Sequence, residues 1–531
     1  MKKLIVLCLL FISISLSADF IIPREDHVYP FLEMTNSLGF TNIDLSITPV
    51  YYQEIINQLT IVSKDRTAGY YQNQAVKHLN RLGLLNKNGF DTALTPIKEI
   101  PSEFFSSFTN HPKPKRLFTY GENNSIKMRQ SGAIAEETSL FISGMLGYKY
   151  DLKHEDNNDY TRRRKYYGVE SGGNFHKDFG YYIFFKKGGY TGNADFIEEN
   201  PDLSIMGDNF YNEEDWYSQV DMVSELDFKN NYLNFSMGYG TMKVGYSITS
   251  PIILNPATTP YGYVKYYKKV GDFTYTGFAT QLIPDSLKND TEYESKSYAL
   301  QTLSYTNSWL TLGVGNAIVY GDNTINLGYM SPLAIYKIMD NKNHGRDNGI
   351  LFGYGNLRAM QGLSFYGNFY ADDLKKDRIM SKHVMNYLAF QGGMKYQAPS
   401  IPLETGAEAT AVGPGCYSHK SKTLTYTNDT KYLGSEWGSN FLSFAGRIRL
   451  NHSWFNWTFI YENVQQGSLA NSPFNGGVVQ FLRDDITRFE VFKSEFILRL
   501  TQELTLNAEY QYKKQLESER HYILTSAEFK F

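Results

Sequence analysis

The chain has 531 residues, with 52 Lys and Arg against 55 Asp and Glu, for a net charge of −3 at neutral pH. That balance excludes a general affinity for nucleic acid. The length suits one large domain or two ordinary ones. The mean hydropathy of −0.40 is that of a polar protein, and past the first residues no apolar run reaches the ~18 residues that a membrane-crossing helix needs. It does not exclude a closed β-barrel, whose lipid-facing residues alternate with polar ones facing the lumen.

Residues 1–18 (MKKLIVLCLLFISISLSA) join a charged start, an apolar core and a small-residue exit. This pattern predicts a secretory signal peptide, cut after Ser17 or Ala18. Cys8 lies in the middle of its apolar core, which does not fit a lipoprotein signal. Cys416 then remains alone, so no intramolecular disulfide is expected.

Residues 24–110 predict a small helical bundle. Val28, Phe31, Leu32 and Leu38 fall at helical spacing and stop at Gly39. Thr48 and Pro49 read as the N-cap and first turn of a second helix carrying Tyr52, Ile55, Ile56 and Leu59. A third run, 70–85, carries Ala75, Val76, Leu79 and Leu82.

From about residue 115 to Phe531 the period becomes two, the spacing of strands with one apolar and one polar face. Alternating stretches recur near 139–150, 176–190, 217–228, 262–281 and 297–319. In 363–372, Leu363, Phe365, Phe369 and Ala371 oppose Ser364, Tyr366, Asn368, Tyr370 and Asp372. In 444–451, Ile448 and Leu450 should face outward, with Arg447 and Arg449 inward. In 454–462, Phe455, Trp457, Phe459 and Tyr461 should face outward. A hairpin joins 496–500 to 504–513. The last stretch, 521–531, sets Ile523, Ala527, Phe529 and Phe531 against Ser526, Glu528 and Lys530.

These features predict an all-β transmembrane barrel of about 16–18 antiparallel strands, preceded by the helical bundle. The 42 Tyr and 35 Phe would supply aromatic girdles at both membrane interfaces. A chain ending on an aromatic residue of such a strand resembles outer-membrane barrels, whose terminal Phe is read by the barrel-assembly machinery. A secreted β-sandwich or a solenoid is the alternative. An even strand number returns both barrel ends to the periplasmic side, with the bundle. Most of the long polar stretches 191–215, 282–297, 371–384, 413–440 and 463–487 are then expected outside the cell.

Three segments are more specific. Residues 245–263 read GYSITSPIILNPATTPYGY. Residues 329–355 read YMSPLAIYKIMDNKNHGRDNGILFGYG, followed by LSFYGNFYADD over 363–373. Residues 408–438 contain EATAVGPGCYSH and YLGSEWG. Together with HVYPFLEMTNSLG at 27–39, their order resembles the Wzi capsule-assembly family of outer-membrane proteins. The chain departs from the family's pattern at Val244-Gly245-Tyr246-Ser247, where a Trp-Gly-Pro-Gly-type turn is usual, and at Gly355, where an aspartate is. The resemblance implies a large barrel with a periplasmic helical bundle. It also implies a lectin that holds capsular polysaccharide at the surface without polymerising or exporting it.

Sugar recognition uses flat apolar faces together with carboxylates and amides that bridge hydroxyls. The inward row Tyr366, Asn368, Tyr370 and Asp372 offers such groups. So do Tyr417, His419 and Trp437 in the 413–440 loop. These are the candidate ligand-binding residues. A wide barrel also fills its interior with polar side chains for structure alone. Asp347, Asn348, Asp372 and Asp373 could fix a loop or pair with Arg447 and Arg449. The run Arg162-Arg163-Arg164-Lys165 could meet an acidic glycan, or serve as a lumen cluster or solvated loop. Glu198-Glu199 and Glu213-Glu214-Asp215 match no EF-hand spacing. No His or Cys pair stands at metal-ligand spacing and no cofactor is expected. GxSxG, HExxH and P-loop signatures are absent, so no enzyme is expected. The expected partners are surface polysaccharide, outer-membrane lipid and the assembly machinery. A diffusion channel for sugars or other small solutes is the second functional reading, and an enzymatic barrel the third.

Overall fold

Long stretches of period-two sequence without helix-capping signals form strands in the computed structural model, joined alternately by turns of a few residues and by longer connections. The structure describes residues 22, 26–82, 139–176, 179–198, 217–229, 233–284, 295–321, 326, 328–332, 334–342, 347–372, 387–419, 421–452, 454–468, 482, 485–501, 504–515 and 518–530. The expected signal peptide, Phe531, Asp373, Glu199 and the acidic run 213–215 lie outside these residues.

Eighteen strands among the described residues form one closed antiparallel barrel. The last, Ser518–Lys530, pairs with the first, Ser139–Glu155, in a register that sets Lys530 against Met145 and Arg520 against Glu155. Closure leaves no sheet edge to satisfy. The neighbouring pair Ser139–Glu155 and Asn158–His176 is the longest, at 17 and 19 residues.

The two barrel ends differ. At one end tight turns join the strands, as between Val270 and Phe273 or between Met360 and Leu363. Gly362 sits in the second of these turns at φ +83°, where a Cβ would come within 2.2 Å of the Gln397 carbonyl oxygen. At this turn end the first strand begins and the last one stops. The opposite, loop end carries the long connections, including 241–260 and 413–440.

The barrel faces follow the alternation. Large apolar side chains point outward and are exposed, among them Val314, Phe365, Phe444, Trp457, Ile523 and Phe529. Inward positions are mostly polar or aromatic, with aliphatic residues such as Leu300, Val319 and Ile350 where the wall meets the buried interior cluster. A soluble sandwich or solenoid would bury the apolar face instead, so the structure excludes those alternatives.

Three helices precede the barrel: α1 (Val28–Ser37), α2 (Tyr52–Lys64) and α3 (Tyr70–Arg81). They share a separate core that includes Val28, Phe31, Leu32, Leu59, Val62 and Ala75. α1 ends as predicted at Gly39, whose φ of +81° suits a left-handed cap. The start of α2 is corrected. Thr48 is not its N-cap, because Thr48 lies in a two-residue ladder with Lys243, and Tyr51 occupies the cap position. The helices pack on the turn end, where the Gly362 N–H donates to the Ser37 carbonyl at 2.8 Å and the Tyr71 hydroxyl to that of Ala398 at 3.1 Å.

Glu33 of α1 ties the bundle to the barrel wall. It accepts from Arg449 at 3.2 Å and lies 3.9 Å from Lys395. Burial alone would raise its pKa, but Lys395, Arg449, Arg447 and Lys243 overcome that and hold the carboxyl well below its ordinary 4.5. A depressed carboxylate contributes stability above its unfolded pKa and loses it as pH falls through the folded value. Glu33→Gln should therefore loosen α1 by about 2 kcal/mol at pH 7. Hydrogen exchange of α1 should show that difference shrinking as the pH is taken below 4.5. A difference that stays constant with pH would contradict the ion-pair account.

Candidate functional site

Beside the wall strands from Tyr261–Val270 to Phe455–Gly467, the interior of the barrel is occupied by chain. Residues 241–260, a loop-end connection, turn inward and meet the segment between α1 and α2. Lys243–Val244 pairs with Ile47–Thr48, and the Gly245 N–H donates to the Ser46 carbonyl at 2.8 Å. The barrel wall holds this plug by its backbone. Asn368 Oδ1 accepts the Tyr246 N–H at 3.1 Å, and its Nδ2 donates to the Tyr246 carbonyl at 2.5 Å. Gly245 makes this approach possible. Its φ is +104°, and a Cβ there would stand 3.0 Å from Asn368 Oδ1.

Glu408 is the second anchor. Its carboxylate accepts the Ile248 N–H at 2.8 Å, the Thr249 N–H at 3.3 Å, the Thr249 hydroxyl at 2.6 Å and the Tyr366 hydroxyl at 2.7 Å. Gln391 adds a bond to the Ser250 carbonyl at 2.9 Å. Ile248, Ile252, Ile253 and Leu254 then join a buried cluster with wall residues such as Phe352, Tyr354 and Tyr370.

Residues 413–440 fold into the loop-end mouth and cover the plug. The Tyr417 hydroxyl donates to the Ile252 carbonyl at 2.8 Å and the Tyr426 hydroxyl to that of Ile253 at 2.6 Å. The Asn255 N–H donates to the Leu433 carbonyl at 2.6 Å. Tyr417 stacks on Tyr426, with ring centroids 5.7 Å apart, and meets Tyr370 edge-on at 5.0 Å. Burial raises the pKa of both loop tyrosines, keeping them neutral donors. Cys416 is buried here and donates to the Leu388 carbonyl at 3.3 Å.

These contacts place the predicted residues. Tyr366, Asn368, Tyr370 and Asp372 face inward side by side, as the alternation predicts, and all are buried. Tyr366 is bonded to Glu408, Asn368 clamps the plug and Asp372 accepts the Tyr417 N–H at 3.2 Å. Tyr417 is also buried, at 1% exposure, and faces the plug, not solvent. Residues 413–440, a polar stretch in sequence, therefore do not stand away from the barrel as a solvated loop: their aromatic side chains pack downward on the apolar plug.

His419 and Trp437 stay partly exposed at the mouth. His419 Nδ1 accepts the Ser421 N–H at 3.2 Å. Trp437 packs against Phe489 at 5.1 Å, with the Lys513 ammonium 5.2 Å from its ring centroid. It is neither a freely exposed loop tryptophan nor part of an outer girdle. Glu436 is exposed beside it.

Of the two structural roles open to the aspartates and Asn348, fixing a loop and pairing with Arg447 and Arg449, the structure has the first for Asp372 and Asn348 and not the second. Arg447 bonds Glu404 at 2.5 Å, and Arg449 bonds Glu33. Asp347 accepts instead from the Tyr329 hydroxyl at 2.8 Å, and Asn348 donates to the Leu424 carbonyl at 3.1 Å. The basic run 162–165 is split by the strand. Arg162 and Arg164 point inward to Asp151 at 2.8 Å and Asp221 at 3.1 Å, while Arg163 and Lys165 point outward. Among the described residues no group of three or more His, Cys, Asp or Glu is placed to hold a metal.

Sequence reasoning missed the plug and its anchors Glu408 and Gln391. The available signal was an apolar run, Ile252-Ile253-Leu254, inside a connection between strands.

No protein-family model matches the chain, and no curated protein matches it. Among solved structures the fold is similar to that of Wzi from Escherichia coli, described as an outer membrane protein involved in group 1 capsule assembly and a carbohydrate binding beta-barrel. The TM-score is 0.61 at 12% identity, over 96% of this chain and 99% of that one. A BenF-like porin from Pseudomonas fluorescens gives 0.45 at 9% identity, over 74% and 99%. OpdK from Pseudomonas aeruginosa gives 0.42 at 8% identity, over 73% and 99%. The likeness to Wzi concerns the fold, and the two porin matches carry no argument.

Proposed function

We propose that this chain is a non-catalytic outer-membrane barrel that binds a surface polysaccharide at its loop-end mouth and anchors it to the cell. The observation that carries the reading is the occupied interior. Plug residues 243–255 and the 413–440 cover are bonded to the wall and to each other, an arrangement made to hold a fixed surface, not to pass solutes. The exposed apolar outer faces support membrane insertion, since apolar residues in such a belt need lipid. The Wzi-like fold supports the choice of a carbohydrate as ligand. Because the first strand begins and the last one stops at the turn end, we place the helices on the periplasmic side and the mouth outward.

The buried residues Tyr366, Asn368, Tyr370, Asp372 and Tyr417 shape this mouth from beneath. Contact with glycan falls to its accessible groups: the Trp437 ring for C–H stacking, with His419, Glu436 and Lys513 for hydroxyl and carboxylate groups. Trp437→Ala should reduce the cell-bound fraction of surface polysaccharide several-fold while the amount of barrel at the surface is unchanged. If Trp437→Ala, His419→Ala and Lys513→Ala all retain polysaccharide like the parent, this face does not hold the glycan.

A further inference from the structure

The outward half of the basic run has a position that the polysaccharide reading does not use. Arg163 and Lys165 lie two residues apart on the outer face of the strand Asn158–His176, and both are exposed. The next residue on that face, Tyr167, pairs with Lys187 of the adjacent strand Phe179–Gly192, and Lys187 is exposed too. The three cations therefore stand within steps of about 7 Å on one continuous surface. No carboxylate pairs with any of them among the described residues. Of the exposed carboxylates toward the loop end of these strands, Asp159 holds His154 at 2.7 Å and Glu519 holds Lys514 at 2.8 Å, while Asp195 forms no ion pair with the three cations.

Their height is informative. Lys165 is nine residues up the strand from Asn174, which lies at the turn end. At about 3.3 Å per residue and a tilt of about 40°, that is roughly 23 Å, near the top of an apolar band ~25 Å tall. The outer faces below agree, with Leu146, Tyr167, Val169 and Ile183 exposed. Tyr148 and Tyr150 pair with Lys165 and Arg163, and the Arg163 guanidinium lies 5.8 Å from the Tyr150 ring centroid. Tyrosines at this level mark the membrane interface. Cations at this level stand among the headgroups, where anionic ones attract them.

We propose that Arg163, Lys165 and Lys187 bind a phosphate group of an anionic glycolipid in the outer leaflet. Arg163 can grip two phosphate oxygens through its fork, and the lysines add point charge. The tyrosines beside them, Tyr148, Tyr150 and Tyr167, meet the start of the acyl region. This site rests on the membrane reading above but not on the polysaccharide reading.

The test uses full-length protein in phosphatidylcholine vesicles doped with bisphosphorylated lipid A or with its dephosphorylated form. The variant is R163Q/K165Q/K187Q, and K64Q/K268Q/K269Q, which removes three charges from the helices and the turn end, is a control for net charge. Vesicle flotation and heat-modifiable migration report insertion and folding separately from lipid retention. The parent and the control should retain bisphosphorylated lipid A through detergent extraction at least about tenfold better than the triple variant does. Salt should erode that difference. Equal retention by parent and triple variant, or equal retention of the two lipids by the parent, would overturn the proposal. So would displacement of the lipid by a soluble acidic polysaccharide, which would assign the patch to glycan. Failure of the parent to float with vesicles would instead defeat the membrane reading.

Discussion

Replacing Glu408 with alanine should release the plug and give the barrel a conductance that the parent lacks. Glu408 accepts four hydrogen bonds, three of them from plug residues Ile248 and Thr249. Removing an acceptor strands its buried donors at roughly 1–3 kcal/mol each. The barrel wall, closed by its own ladder, should survive this loss. Single-channel recording in planar bilayers should show brief or no openings for the parent and frequent steps for Glu408→Ala. Glu408→Gln keeps one acceptor oxygen and should fall between them. A parent that already conducts in large stable steps would mean that the plug does not seal the lumen.

The second large effect is expected at Tyr417. Its ring is fully enclosed by Tyr370 and Tyr426, and its hydroxyl reaches the Ile252 carbonyl. Truncating a buried aromatic of this size costs about 3–5 kcal/mol. Tyr417→Ala should therefore disorder 413–440 without unfolding the barrel. Protease should cut 413–440 in the variant and spare it in the parent, and cell-bound polysaccharide should fall because the mouth has lost its shape. Tyr417→Phe keeps the ring and loses one hydrogen bond, so it should cost only ~1 kcal/mol. If Tyr417→Ala leaves the loop resistant to protease, the loop does not depend on the plug for its order.

The wall was legible because its signal is local. A period of two needs only neighbouring residues, so the inward row from Ser364 to Asp372 and the outward Ile448 and Leu450 could be read directly. The filling was not legible, because it depends on partners far apart in sequence. Asn368 clamps a residue 122 positions away, Glu408 one 160 away, and Arg449 meets Glu33 across 416 positions. Loop polarity misled for the same reason. Residues 413–440 contain enough Ser, Thr, Lys and Gly to look solvated, yet Cys416, Tyr417, Tyr426 and Leu433 are buried against the plug. The four-residue basic run carried both answers at once, and only strand geometry separates its two faces.

The most direct test of the central claim is binding of surface polysaccharide, isolated from the protein's own organism, to the purified protein in lipid nanodiscs. The account predicts saturable binding by the parent that is weakened at least about tenfold, or ~1.4 kcal/mol, in Trp437→Ala. Binding no greater than to empty nanodiscs, or unchanged by the mouth variants, would contradict it.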